Sequence, residues 1–82
     1  MIDQDMELRR AIGESLHQEV FHLPMDQTLE NALGMNSLAG LELMAEMEDR
    51  FGVRFRDEDL ARPRTLGNIL AALQSRPGRA VQ

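Results

Sequence analysis

Leu33-Gly34-Met35-Asn36-Ser37-Leu38, continued without a break by Ala39-Gly40-Leu41-Glu42-Leu43-Met44-Ala45-Glu46-Met47-Glu48-Asp49-Arg50-Phe51-Gly52, is the stretch on which the fold turns. A Gly, then Asn and Ser directly ahead of an apolar-periodic run, writes a helix start, because both side chains can accept hydrogen bonds from amides that have no partner inside the helix. Gly52 ends the run, since Gly takes the left-handed geometry beyond a helix terminus at little cost. At about 100° per residue, Leu43, Met44, Met47 and Phe51 share one broad arc, the expected core, with Glu42, Glu46 and Asp49 opposite. Leu38, Leu41 and Ala45 lie at the seam beside these acids, with Glu48 among them. The helix therefore has a buried face and a second, mixed face of small apolar patches among carboxylates, as partner-binding helices do. Its start also presents the Ser37 hydroxyl to solvent, and function is expected there.

Upstream, Leu8, Ile12, Leu16 and Val20 recur every fourth position with Ala11 beside them, which predicts an amphipathic helix over residues 3–22. Asp3, Asp5 and Glu7 suit the positive end of its dipole, and Pro24 closes the segment by biasing Leu23 away from helical geometry. Residues 25–36 show no sustained period and read as a long ordered loop with room for one helical turn, anchored by Leu29 and Leu33. Downstream, Val53 and Phe55 alternate with Arg54 and Arg56 in an extended connector that turns two residues inward. Asp57 to Ala61 suits one acidic turn before Pro63. Thr65 reads as the cap of a last helix carrying Leu66, Ile69, Leu70 and Leu73. From Ser75 onward, through Pro77 and Gly78, the pattern ends. No stretch alternates long enough to build a sheet. The expectation is an all-α four-helix bundle, three longer helices plus one short, with a long loop between the first and second: one domain over 1–75 and a flexible tail over 76–82.

Eighty-two residues give a thin core, burying a little over roughly 60% of the unfolded surface, so each large apolar side chain matters. The absence of Cys removes disulfides, thiolate metal sites and thiol catalysis together. Six Met and three Phe, with no Trp or Tyr, make an aliphatic, adaptable interior. The net charge is −5, and all nine basic residues are Arg. Such a surface repels phosphate backbones and favours partners with basic patches, so nucleic acid is not an expected partner. No apolar run approaches a membrane span and the N-terminus lacks the features of a signal peptide, so a cytoplasmic monomer is expected.

The residues assemble no catalytic constellation. Gly34-Met35-Asn36-Ser37-Leu38 is not a nucleophile elbow, and His17 and His22 stand five positions apart, poorly placed to share a helical face, with no carboxylate obviously set to orient either. Both read as surface histidines around a helix C-terminus. Glu42, Glu46, Glu48 and Asp49 read as a solvated face. Asp57, Glu58 and Asp59 lack the alternate spacing and closing Glu of a calcium loop, so no metal is expected.

Taken alone, Ser37 is a helix cap. Its surroundings, however, resemble the signature of the acyl carrier protein family: Leu-Gly-x-Asp-Ser-Leu, a Leu/Val-Glu-Leu core, then acidic residues before Phe-Gly. Here these are Leu33-Gly34-Met35-Asn36-Ser37-Leu38, Leu41-Glu42-Leu43, Glu48-Asp49-Arg50 and Phe51-Gly52, and the resemblance covers residues 6–73. It implies a bundle of acyl-carrier type in which a phosphopantetheinyl transferase esterifies Ser37 with 4′-phosphopantetheine. The product is a non-catalytic carrier whose distal thiol holds acyl or aminoacyl groups as thioesters. A helix N-terminus suits the phosphodiester, because free amides and the dipole meet it there. By the same resemblance, Leu38, Leu41, Glu42, Met44, Ala45, Glu48 and Asp49 form the recognition helix, with Asn36 read by the transferase. The partners are that transferase, a loading ligase, and downstream synthases or transferases.

The family's Asp before the serine is Asn36, the position after Leu38 is Ala39, and Arg54, Arg56, Arg62 and Arg64 interrupt the acidity downstream. Asn caps a helix about as well as Asp but removes a charge that a transferase arginine could pair with. These departures point to a specialised stand-alone carrier. Fatty-acid or polyketide acyl cargo, aminoacyl or peptidyl cargo from an adenylating ligase, and an unmodified helical interaction module stay open at this level. Met44, Met47, Phe51 and Phe55 read as core before they read as the lining of an acyl cavity.

Overall fold

The Asp3 side chain accepts the Asp5 amide at 3.0 Å and starts the first helix, α1, Gln4–Leu16. The computed structural model describes residues 3–75, so the tail expected over 76–82 lies outside the described residues. Four more helices follow: α2 Leu29–Leu33, α3 Ser37–Phe51, α4 Asp57–Ala61 and α5 Leu66–Ser75. The architecture is all-α, as expected. Among the described residues the extended pairing is a single antiparallel bridge between Thr28 and Thr65. The long loop holds α2, capped by the Thr28 hydroxyl accepting the Asn31 amide, so three longer helices are joined by two short ones.

Helix α1 stops six residues short of the expected end. His17 takes a left-handed conformation, φ 57°, and its amide and that of Gln18 both return to the Gly13 carbonyl. Gly13 permits this turn: a Cβ there would stand 2.7 Å from the Gln18 carbonyl oxygen. Val20 is fully buried as expected, but from a loop rather than from a helical stripe. That loop has little backbone pairing of its own. Instead the Arg9 guanidinium donates to the carbonyls of Val20 at 3.2 Å, Phe21 at 2.8 Å and Leu23 at 2.9 Å, while its Nε donates to Asp5 at 2.9 Å. At the surface of the same loop, the Phe21 amide, and next His22, hold the Glu19 carboxyl below its ordinary range.

Helix α1 packs against α3 and α5, α2 against α3, and α4 against α5. The largest fully buried side chains come from α1, the loop after it, α2, α3 and α5: Leu8 and Ile12, Val20, Leu29, Met47, then Leu66 and Ile69. Met44, Met47 and Phe55 are only 3%, 1% and 5% exposed, and they serve as core. Phe51 packs against it partly buried, as do Leu33 and Val53. Glu14 with Arg50 and Ser15 with Glu46 tie α1 to α3 at the surface.

Candidate functional site

Asn36 is the residue that caps α3, its Oδ1 accepting the Ala39 amide at 2.8 Å, while its carbonyl accepts the Gly40 amide at 3.0 Å. Ser37 is therefore the first helical residue and not the cap. Its hydroxyl is exposed and, among the described residues, has no hydrogen-bond partner. The Ser37 and Leu38 amides are likewise unengaged. With two amides of the helix start committed to Asn36 and two open beside a free hydroxyl, this terminus fits an esterified phosphate. Among the described residues no histidine or carboxylate hydrogen-bonds to the Ser37 oxygen.

Ser37 opens onto a shallow depression. Thr28 and Glu30 bound one side of it, and the end of α4 with its linker, Leu60 through Arg64, bounds the other. Arg64 is fixed: its Nε donates to Glu30 Oε2 at 2.8 Å and its Nη2 reaches the same oxygen, with the two side chains only 12% and 22% exposed. The Arg64 carbonyl also accepts the Leu29 amide at 2.8 Å, and the Met25 carbonyl accepts the Gly67 amide at 3.0 Å. The linker is thus held against the loop that leads into α2. Gly40 makes room for the clamp, because a Cβ there would collide with Arg64 Nε and lie 3.0 Å from Glu30 Oε2. None of Thr28, Glu30, Gly40, Arg62 and Arg64 is singled out as a site residue by the sequence. The nearest signal is a helix-disfavouring Gly one turn into α3.

Gly40→Ala tests the clamp. Alanine gains about 1 kcal/mol in helix propensity, but displacing Arg64 loses charge-assisted bonds worth about 1.5–3 kcal/mol, so a net destabilisation of about 1 kcal/mol is expected from urea unfolding. In an Arg64→Ala background the same change should become stabilising. No such reversal of sign would mean that the guanidinium is not what excludes the methyl group.

Of the expected recognition residues, Leu38 and Leu41 are 64% and 45% exposed, and Glu42, Ala45 and Asp49 join them at the surface in helical register. Met44 is buried and offers no surface. Glu48 is half-buried and accepts the Phe55 amide at 2.6 Å, which joins it to the α3–α4 connector. Asn36 is exposed at the cap. His17 ends α1, and His22 pairs with Glu19 at 2.9 Å. Among the described residues no group of three or more potential ligands gathers to hold a metal, and no helix is long and apolar enough to cross a membrane.

A family model described as a phosphopantetheine attachment site matches residues 7–73. The chain is 35% identical over 68 residues to an acyl carrier protein of Rhodococcus erythropolis, a match covering 83% of this chain and 75% of that one. It is 37% identical over 67 residues to a meromycolate extension acyl carrier protein of Mycolicibacterium smegmatis, covering 82% and 68%. An acyl carrier protein of an Exiguobacterium strain is 25% identical over 71 residues, covering 87% and 90%. No solved structure gives a significant match.

Proposed function

Because the chain belongs to the acyl carrier proteins, non-catalytic carriers with a covalently attached 4′-phosphopantetheine, we propose that Ser37 is the residue esterified and that the cargo is an acyl group of a dedicated biosynthetic pathway. The observation that carries this reading is the exposed, unengaged Ser37 hydroxyl at the first position of a 15-residue helix, inside the matched region. When bound, the group supplies a terminal thiol on which cargo is held as a thioester, a function that a Cys-free chain cannot perform alone. Ser37 would provide the ester oxygen, the Ser37 and Leu38 amides would be available to the phosphate, and Asn36 keeps the helix start capped. The names of the relatives favour acyl over aminoacyl cargo. The absence of acidic residues from the first turn of α3 favours a dedicated partner set.

Incubation with coenzyme A and the host's phosphopantetheinyl transferase, followed by intact mass measurement, should add one phosphopantetheine. A protein that stays unmodified with every transferase of its host is not a carrier.

The docking face is the exposed strip of Leu38, Leu41, Glu42, Ala45 and Asp49. Its charges steer basic partner surfaces while its two leucines supply the contact. Glu42→Lys with Asp49→Lys should slow partner turnover about tenfold at low salt, with helicity unchanged. Unchanged turnover would move docking elsewhere. Glu48 is left intact in this test because its carboxylate holds the Phe55 amide.

A further inference from the structure

The Arg64–Glu30 pair closes the seam at which α2, α3 and the linker into α5 meet. Glu30 comes from α2, Arg64 from the linker, and both lie against Gly40, about one turn of α3 beyond Ser37. The hydrophobic core starts directly beside the pair. Leu29, the residue before Glu30, is 1% exposed, and Leu66, just after Thr65, is fully buried. The backbone draws the same seam shut through the Thr28–Thr65 bridge and through the Leu29 amide, which donates to the Arg64 carbonyl. A methyl group at position 40 would leave no room for the guanidinium, so α3 gives up a side chain at this point to hold a charged pair.

We infer that this pair shuts the bundle to the cargo: the acyl chain stays outside the core, and its shelter and its selection by length fall to the partner enzymes. The inference rests on Ser37 being the attachment residue. An alkyl chain gains free energy by leaving water, and the apolar interior beside Ser37 lies behind this seam. To pass it, the chain must part Glu30 from Arg64. Both side chains are largely withdrawn from solvent, so parting them strips each charge of the bonds that offset its desolvation, and salt does little to loosen a pair at that depth. Apolar side chains at these positions could swing aside and line a passage. A carboxylate and a guanidinium cannot line one for a hydrocarbon without losing their hydrogen bonds.

The test uses the holo protein, with intact mass confirming the modification first. The thiol of the arm, the only one on a chain without Cys, is acylated to the acetyl and the octanoyl thioester. In the wild type the methyl resonances of Leu29, Met44 and Leu66 should coincide in the two forms. Hydroxylamine should cleave the octanoyl thioester within about twofold of the rate for free octanoyl-pantetheine, because solvent reaches both alike. Glu30→Leu with Arg64→Met replaces the pair by apolar side chains, a change that buried pairs commonly tolerate. In that variant the octanoyl chain should shift the same methyl resonances and cleavage should slow about fivefold or more. Glu30→Gln, which weakens the pair without emptying its place, should move both readouts in the same direction by less. Octanoyl-dependent methyl shifts in the wild type overturn the inference. Variants that fold and exclude the chain as the wild type does overturn it equally, since the pair is then not the barrier. Absence of the holo mass gain is the separate failure of the attachment reading, seen before any thioester is made.

Discussion

Ser37→Ala will gain no mass when incubated with coenzyme A and a transferase that modifies the wild type fully. The loss is expected to be complete, because the proposed ester needs this oxygen, and it will not be a loss of structure. The cap hydrogen bond belongs to Asn36, whose Oδ1 holds the Ala39 amide, and Ser37 contributes no side-chain bond among the described residues. Alanine at the first helical position is a good helix former, so stability should stay within about 0.5 kcal/mol of the wild type. Far-UV circular dichroism and a urea midpoint establish this on the sample used for mass measurement. Other hydroxyls serve as internal controls: Thr28 and Thr65 accept the Asn31 and Asn68 amides, and Ser15 bonds to Glu46. A phosphopantetheine mass gain in Ser37→Ala would show that another hydroxyl is the true acceptor and would remove Ser37 from the site.

The contrast with Asn36→Ala separates chemistry from scaffold. That change leaves the hydroxyl and removes the cap, which costs about 1 kcal/mol of stability and leaves modification possible.

The bounds of α3 are legible in the sequence because both are local. Asn36 caps through a bond three residues long, and Gly52 stops the helix with its own backbone, φ 67°. Thr65 and α5 follow the same logic. The end of α1 is not legible in this way. The apolar period runs on through Val20, yet the helix stops at Leu16, because the guanidinium of Arg9 collects carbonyls 11 to 14 residues away and Gly13 lets the chain fold back. A periodicity argument sees that Val20 is buried without seeing how it arrives there. The site divides along the same line. Ser37 and the exposed leucines follow from one helix and its register. The clamp of Arg64 on Glu30 joins residues 34 positions apart, and with the Leu29–Arg64 backbone bond it holds the linker, and so Arg62, beside the depression at Ser37. Burial likewise removes Met44 from the recognition face on which the family resemblance places it, and keeps it on the core arc that the helical projection gives.

Arg9→Met should destabilise the protein by about 3–5 kcal/mol, the cost of breaking a buried charged network. Methionine retains the helix propensity and the unbranched stem of the side chain, so α1 itself is not the casualty. What is lost is the set of donors for the Val20, Phe21 and Leu23 carbonyls, of which the bonds to Val20 and Leu23 are buried. An unsatisfied buried acceptor costs about 1–3 kcal/mol, and the loop has few internal bonds to replace these. A domain of this size has a total stability of about 4–12 kcal/mol, so the variant should lie near the edge of folding. With an m-value of about 1 kcal/mol/M, the urea midpoint should fall by about 3–5 M. Arg9→Lys should recover only part of this, since one ammonium cannot reach three carbonyls and Asp5 in the same plane. Asp5→Asn isolates the Nε bond: the Asp5 carboxylate is 36% exposed, and weakening that single pair should cost no more than about 1 kcal/mol. An Arg9→Met protein within about 1 kcal/mol of the wild type would show that the loop is held by the burial of Val20 and Leu23 alone, with the guanidinium merely accommodated.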